Sequence, residues 1–388
     1  MARLGDIATV ITKGTTPTSI GFAFENDGIN FVKIESVDEN GNFICEKFDH
    51  ISDECHEKLK RSQLQENDIL FSIAGAIGRT AIVTKDILPA NTNQALAIIR
   101  IPQDVINYSF LLYILQSSVV REQAEKKKQG VAQLNLSLKD IGDFIIPDIP
   151  LEEQQCIVDS LDKVSNLISL RKQQLSKLDE LVKSRFVEMF GDVINNDRNW
   201  PMATMGDVAE IKIGPFGTLL HKEDYIVGGH ALVNPSHIVD GKISVDISLT
   251  ISDEKYEELS AYHLKIDDIV LGRRGEMGRC AVVKEEGLLC GTGSLIIRPN
   301  DRLKPYFLQT IISNPTYKKI IEDKAVGVTM MNLNVPIVES LRVPMLPIAL
   351  QNDFISFMEQ VDKSKFEIQK SLEKLETLKK ALMQKYFG

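Results

Sequence analysis

GRRGEMGRCAVV, Gly272–Val283, repeats in altered form a phrase met two hundred residues earlier, SIAGAIGRTAIV, Ser72–Val83. Each follows a short apolar lead-in, NDILF from Asn67 and DDIVL from Asp267. Further anchors fall in the same order. RLGDIATV at Arg3 resembles MGDVAEI at Met205, and AIIRI at Ala97 matches LIIRP at Leu295. GVAQLNLS at Gly130 matches GVTMMNLN at Gly327, and IPDIPLEEQQ at Ile146 lines up with VPMLPIALQN at Val343. SKLDELVKSRFVEMFG at Ser176 and EKLETLKKALMQKYFG at Glu373 both end in Phe-Gly. A period near 200 residues is far longer than a solenoid unit. The repeated object is therefore a whole domain with an appendage, used twice.

Inside each half the texture changes once. Short apolar runs broken by Gly, Asn, Asp and Pro, such as INFVKIES, DILFSIAG, TAIVT and ALAIIRI, read as strands. SFLLYILQSSVVREQAEKKKQ and its partner YFLQTIISNPTYKKIIEDK read as helices. Each half thus begins as a mixed α/β globular module. After Pro150 and Pro347 the pattern turns helical. Leu161, Val164, Ile168, Leu175, Leu178, Val182 and Met189 follow steps of three and four, interrupted by Arg171. Met358, Val361, Ile368, Leu372, Leu375, Leu382 and Tyr386 do likewise, with Lys365 and Lys379 on the seam. That spacing is a coiled-coil seam with polar interruptions. Pro150, Glu152 and Glu153 suit a helix start and Gly191 its stop.

The reading divides the chain into a module at 1–150, a long helix at 151–191, a linker and second module at 192–347 and a second long helix at 348–388. Each helix is about 55 Å long at 1.5 Å per residue. An apolar stripe must be covered, and the other helix is the economical cover. Under a pseudo-twofold the two run antiparallel; the alternative is that each packs on its own module.

The net charge of −9 argues against a protein that coats nucleic acid through overall charge. Five scattered cysteines form no CxxC pair, and with six histidines give no zinc-type spacing. Reduced thiols, no signal-peptide core at the N-terminus and no apolar run of roughly 18 residues predict a soluble cytoplasmic protein. Catalytic constellations are equally scarce. GRRGEMGR lacks the GK[ST] of a phosphate-cradling loop and the strand–GxGxxG–helix setting of a dinucleotide fold. NPTY, Asn314–Tyr317, is similar to the NPPY motif of adenine methyltransferases but lacks its second proline and falls inside a predicted helix. NPSH at Asn234, HExxH, GxSxG and nuclease patterns offer nothing better. Two diverged modules at a fixed separation suit a reader of two half-sites.

The chain resembles, over its whole length, the specificity subunit of type I restriction–modification enzymes. The carriers are the LGD and MGD openings, the NWP lead-in at Asn199, the GAIGR and GEMGR turns and TNQALAIIR. To these add the Pro-x-x-Pro-x-x-x-Gln stretch before each long helix (Pro147–Gln154, Pro344–Gln351) and the two Phe-Gly ends. The resemblance implies that each module is a target recognition domain for one half of a bipartite, asymmetric double-stranded DNA site. It implies too that the helices set the spacing and dock two modification subunits. S-adenosylmethionine would then act on the modification subunits, and ATP with magnesium on restriction subunits. This chain itself would hold no cofactor, no metal and no catalytic residue. A DNA-independent coiled-coil scaffold for partner proteins is the rival from another class.

Candidate DNA-binding residues lie in the loops. Arg79, Arg273, Arg274 and Arg279 sit in glycine-rich turns, where arginine suits phosphate or guanine O6/N7. Arg79 and Arg279 match across the copies and equally suit holding the turn. Arg273 and Arg274 are read as replacing Ala74 and Gly75, which makes them the better candidates for sequence reading. Asn93 and Gln94 suit adenine or their own loop. Gln133 and Asn135, with Asn332 in the second copy, occupy a polar turn after a helix. Lys13, Thr15 and Thr16, with His221 and Lys222, complete the set.

Overall fold

The computed structural model describes residues 1–127, 135–216, 219–325 and 332–388. The chain forms two compact units, one of Met1–Gln173 with Gln369–Gly388, the other of Gln174–Ile368. The division falls inside both long helices rather than at their ends, which departs from the boundaries read from the sequence. The cores give the reason.

In the first unit Val10–Lys13, Leu96–Arg100, Ile69–Ser72 and Thr80–Ile82 form, in that order, a four-stranded antiparallel sheet. Side chains alternate across a strand. Ile69, Phe71, Ala97 and Ile99 accordingly enter one core, while Leu70, Leu96 and Ile98 enter another on the opposite face. Burial on both faces explains why ILF and LAII are unbroken apolar runs. A smaller sheet sets Ile29–Val32 between Asp49–Ile51, antiparallel, and Ala90–Thr92, parallel. Helices Tyr108–Gln116 and Ser118–Lys127 follow.

The second unit repeats this plan. Ala209–Ile213, Ser294–Pro299, Ile269–Gly272 and Cys280–Val282 form its four-stranded sheet. Ile269, Leu271, Leu295 and Ile297 face one core, and Val270, Ala281 and Ile296 the other. His230–Val233 pairs in parallel with Leu289–Cys290, as its counterpart does in the first unit. Helices Pro305–Ser313 and Pro315–Lys324 follow.

The long helices span Leu151–Phe190 and Ile348–Phe387. None of the seam residues named from the sequence is exposed. The first unit's core takes Ile157, Val158 and Leu161 from the start of one helix and Phe387 from the end of the other, with Leu382, Met383 and Tyr386 packed against it. The second unit's core takes Phe354 from the start of one and Phe186 and Phe190 from the end of the other, with Val182 and Met358 alongside. Aromatic rings do much of this joining: Phe110 lies 5.5 Å from Phe387, and Phe190 lies 5.1 Å from Phe307 and 5.4 Å from Phe354. The two Phe-Gly endings are therefore core anchors.

Polar groups fix the helix ends. Gln154, buried, donates to Ile149 O at 2.9 Å and accepts from the Asn107 amide at 2.9 Å. Gln351 does the same with Leu346 O at 2.8 Å and the Lys304 amide at 2.8 Å. The recurrent glutamine after each Pro-x-x-Pro thus ties a helix start to its own module. At the central helix's other end, Arg198 donates to Glu188 O and Met189 O and Trp200 Nε1 to Phe190 O, which satisfies carbonyls a helix C-terminus leaves open.

Candidate nucleic-acid interface

Strand register gathers the candidate loops at one end of each sheet. In the first unit Lys13 stands opposite Ala97, and Ser72 opposite Leu96, so three chain turns emerge together. Gly14 donates to Asn93 O at 3.1 Å and Thr15 to Thr92 O at 3.2 Å. A Cβ on Gly14 would lie 1.8 Å from Thr92 O, so only glycine permits this approach. Thr16 Oγ1 donates to Gln94 Oε1, while Asn93 Oδ1 accepts from the Ala95 amide at 3.0 Å. Asn135 pairs across to Ala74 in an isolated bridge. The structure thus brings together Lys13, Thr15, Thr16, Asn93, Gln94 and Asn135, with Lys13, Gln94 and Asn135 exposed. Gln133 lies outside the described residues.

The second unit builds the same end differently. Gly214 sits as Gly14 does, its missing Cβ 2.2 Å from Gly291 O. Arg273 donates its amide to Gly293 O at 3.0 Å and accepts at its carbonyl from Leu333. In the first unit Ile73 occupies that place, donating to Ala95 O and accepting from Leu136. Gly75 and Gly275 both have φ near +70° (70° and 75°). These correspondences correct the register read from the sequence: Arg273 replaces Ile73, and Arg274 replaces Ala74. Glycine returns at the third position because the turn needs a left-handed residue there.

The correction changes what the arginines are. Arg274 is exposed, whereas Arg273 is only 7% exposed and donates through Nε to Asn332 Oδ1 at 2.9 Å. Burial, and then the neighbouring Arg274, pull the Arg273 pKa down from its ordinary value. Arg273 and Asn332, distant in sequence, thus meet in one pair, which amphipathic spacing could not have disclosed. His221 and Lys222 stand apart from this pair in a short turn, where the His221 amide donates to Asp224 Oδ2 at 2.6 Å. Both are exposed.

Arg79 and Arg279 reach back into their own modules. Arg79 Nη1 donates to Val37 O at 2.8 Å and Ile34 O at 3.1 Å. Arg279 Nη1 donates to Pro235 O at 3.3 Å, and its Nη2 pairs with Glu276.

Sequence reasoning passed over one further pair. Asp68 and Asp268 are buried, and each receives a two-pronged arginine: Arg100 at 2.6 and 2.7 Å, Arg298 at 2.7 and 2.7 Å. Both arginines stood in the repeated AIIR and LIIR phrases and both aspartates in the lead-ins, so recurrence was the available signal. NPTY, by contrast, is a helix start: Asn314 accepts from the Thr316 amide at 2.9 Å, and buried Tyr317 donates to Arg342 O at 3.0 Å. Among the described residues no group of three or more His, Cys, Asp or Glu could hold a metal ion, and no helix is long and apolar enough to cross a membrane.

The arrangement is a pair of loop clusters that offer exposed cations and amides on a rigid sheet end, a form suited to groove and phosphate contacts. The sequence model of the type I restriction modification DNA specificity domain matches residues 1–180 and again residues 197–380. The chain belongs to that family and carries its domain twice.

Among relatives, the type I restriction enzyme EcoBI specificity subunit of Escherichia coli is 32% identical over 170 residues, 42% of this chain and 35% of that protein. The chain therefore spans about a third of that relative's length. Among solved structures, one concerned with complex assembly and conformational transition of the type I R-M system gives a TM-score of 0.62 at 18% identity, over 100% of this chain and 96% of the other. The type I restriction–modification S subunit from M. genitalium gives 0.57 at 15% identity, over 100% and 95%. These likenesses concern the fold, a mixed α/β chain of two domains with long helices.

Proposed function

We propose that this chain is the DNA-reading subunit of a type I restriction–modification enzyme, each module reading one half of a bipartite, asymmetric double-stranded site. The observation that carries the reading is the doubled specificity domain, whose copies present the same loop cluster with different outward residues. Lys13, Gln94 and Asn135 face out in the first, and Arg274 in the second. Two different half-sites call for that divergence on a common frame.

The long helices serve as an antiparallel coiled coil that sets the half-site spacing and docks two modification subunits. Contacts within each unit support this. In the first, Lys172 Nζ lies 3.4 Å from Glu376, and the core nearer Leu161 takes Tyr386 and Phe387. In the second, Asp179 pairs with Lys365 and Phe186 stacks edge-on with Phe354. Rising numbers on one helix meet falling numbers on the other in both units.

The chain acts without catalysis of its own, in the cytoplasm. Methyl transfer from S-adenosylmethionine to adenine belongs to the modification subunits, and ATP-driven, magnesium-dependent work to restriction subunits. The test is a genome-wide adenine-methylation map of the host with this gene intact and deleted. Loss of methylation at one split motif is the expected result. A map unchanged while the modification subunits are expressed would sink the reading and favour a DNA-independent scaffold.

A further inference from the structure

Each unit holds a cleft between its globular module and the adjoining stretches of both long helices, of about 560 Å³ in the first and about 920 Å³ in the second. The molecule carries a net charge of −9. Yet each cleft is lined by five cationic side chains against three carboxylates. Local sign, not net charge, decides where a polyanion settles.

Two of these cations recur. Arg121 and Lys380 line the first cleft, and Lys318 and Lys183 the second. Arg121 and Lys318 hold matching places in the two modules, as do Lys183 and Lys380 in the two helices. Each cleft thus draws one cation from its module and one from the far part of a long helix. Lys183 and Lys380 stand about two turns before their helix ends, beyond the reach of the helix dipole, so end-charge stabilisation does not account for them. Glu376 and Asp179 engage Lys172 and Lys365, and half-buried Lys318 lies 3.4 Å from Glu276, whereas Lys183, Lys380 and Arg121 are exposed.

The clefts adjoin the glycine-arginine turns. Ile77, Gly78 and Arg79 line the first cleft, and Gly278, Arg279 and Lys318 line a pocket of about 280 Å³ in the second unit that shares Asp240 and Gly241 with its cleft. A feature common to both copies cannot distinguish two different half-sites. It suits the part of the duplex that is the same whatever the sequence, its phosphate backbone.

We infer that the two clefts are sequence-independent phosphate-backbone sites, in which Lys380 with Arg121 and Lys183 with Lys318 hold the duplex while the loop clusters read it. This rests on the DNA-reading function proposed above and adds where the backbone lies.

The test measures binding by the full chain assembled with its host's modification subunits. Two labelled duplexes serve, one bearing the motif found by the methylation map and one scrambled, over a range of NaCl concentrations. Lys183→Gln with Lys380→Gln should weaken binding to both duplexes by the same factor and lower the slope of log affinity against log salt by about 2, near 0.9 per phosphate contact. Arg121→Gln with Lys318→Gln should act alike, and Lys183→Arg with Lys380→Arg should restore the slope. Thermal melting of each variant checks the fold.

An unchanged slope in both Gln variants would overturn the inference. So would weaker binding to the motif duplex alone, which would make these residues base readers. Loss of modification subunits from the variant complex at an unchanged slope would give the clefts to a protein partner instead. If the unaltered complex binds both duplexes equally while the slope still drops in the variants, the half-site reading fails and the clefts stand.

Discussion

Between Ser72 and Arg79 the first glycine-arginine turn closes on a hydroxyl: Ser72 Oγ donates to Ala76 O and accepts from the Arg79 amide at 3.1 Å. Its counterpart starts at Gly272, where no hydroxyl exists, and a Cβ would press to 3.2 Å on Pro235. There the next residue does the tying, with Arg273 bonded to Asn332 where Ile73 lies in the apolar core. Both turns keep the glycines at positive φ and an arginine that reaches back to module carbonyls. Duplication has preserved the glycines and the returning arginine and altered the side chains around them. That division between holding and varying groups can be tested position by position.

The largest effect belongs to a holding group. Removing a partner from a buried ion pair strands the other charge and costs roughly 3–5 kcal/mol. Arg100 and Arg298 keep 28% and 25% of their side chains exposed. The lower end, about 3 kcal/mol, is therefore expected for Asp68→Ala and for Asp268→Ala. Urea unfolding of the two variants should give losses within about 1 kcal/mol of each other. A large loss in one and none in the other would break the equivalence of the modules.

Next comes a difference in interior chemistry. Where the first module has Thr80, its hydroxyl accepting from Gln116 Nε2 at 2.9 Å, the second has Cys280. Burial pushes that thiol up from 9.0 to about 11, with Ser313 and Lys318 opposing. Between those values the unfolded chain releases the proton and the folded chain keeps it. The stability is whole below pH 9 and declines as pH rises through 11, by at most about 3 kcal/mol. Cys280→Thr should flatten the fall in melting temperature between pH 9 and 11. An unaltered decline would place its cause in other groups.

Arg273→Ile gives the second module the first one's residue. Exchanging a buried charge for hydrocarbon is often neutral, while Asn332 loses its donor, so stability should shift by no more than about 1 kcal/mol. Because the outward residue of that turn is Arg274, discrimination at the second half-site should be retained in Arg273→Ile. Arg274→Ala should instead lose about 1–3 kcal/mol at one position, both read as relative methylation rates on single-base variants. Lost discrimination in Arg273→Ile with stability unchanged would make Arg273 a base reader rather than the group that ties the turn.

These contrasts also show what a sequence discloses. The doubled plan was readable because apolar runs, glycines and the Gly-Arg phrase recur in order. The helices were readable because steps of three and four persist from Leu161 to Met189 and from Met358 to Tyr386. The ends of the helices were not assigned to cores, since which module Phe190 and Phe387 enter depends on contacts far away in sequence. Arg273 looked like a free loop arginine because the Asn332 that engages it stands 59 residues on. The slip of one residue at Gly75 and Gly275 arose because Ile73 and Arg273 share backbone partners but no side-chain chemistry.

The smallest effect tests the helices. Lys172 and Glu376 are 58% and 49% exposed, and Lys365 and Asp179 are 26% and 59% exposed. Exposed ion pairs couple by about 0.2–1 kcal/mol. Lys365 sits on the seam and is the more sheltered cation, so double-mutant cycles should give its pair the larger coupling. Salt separates the two further, because the screening length falls from about 8 Å at physiological strength to about 3 Å at 1 M. The Lys172–Glu376 coupling should vanish at 1 M NaCl while part of the Lys365–Asp179 coupling survives. Equal couplings with equal salt sensitivity would mean that the seam lysine is as open to water as the flank, and that its place between the apolar steps gives it no shelter.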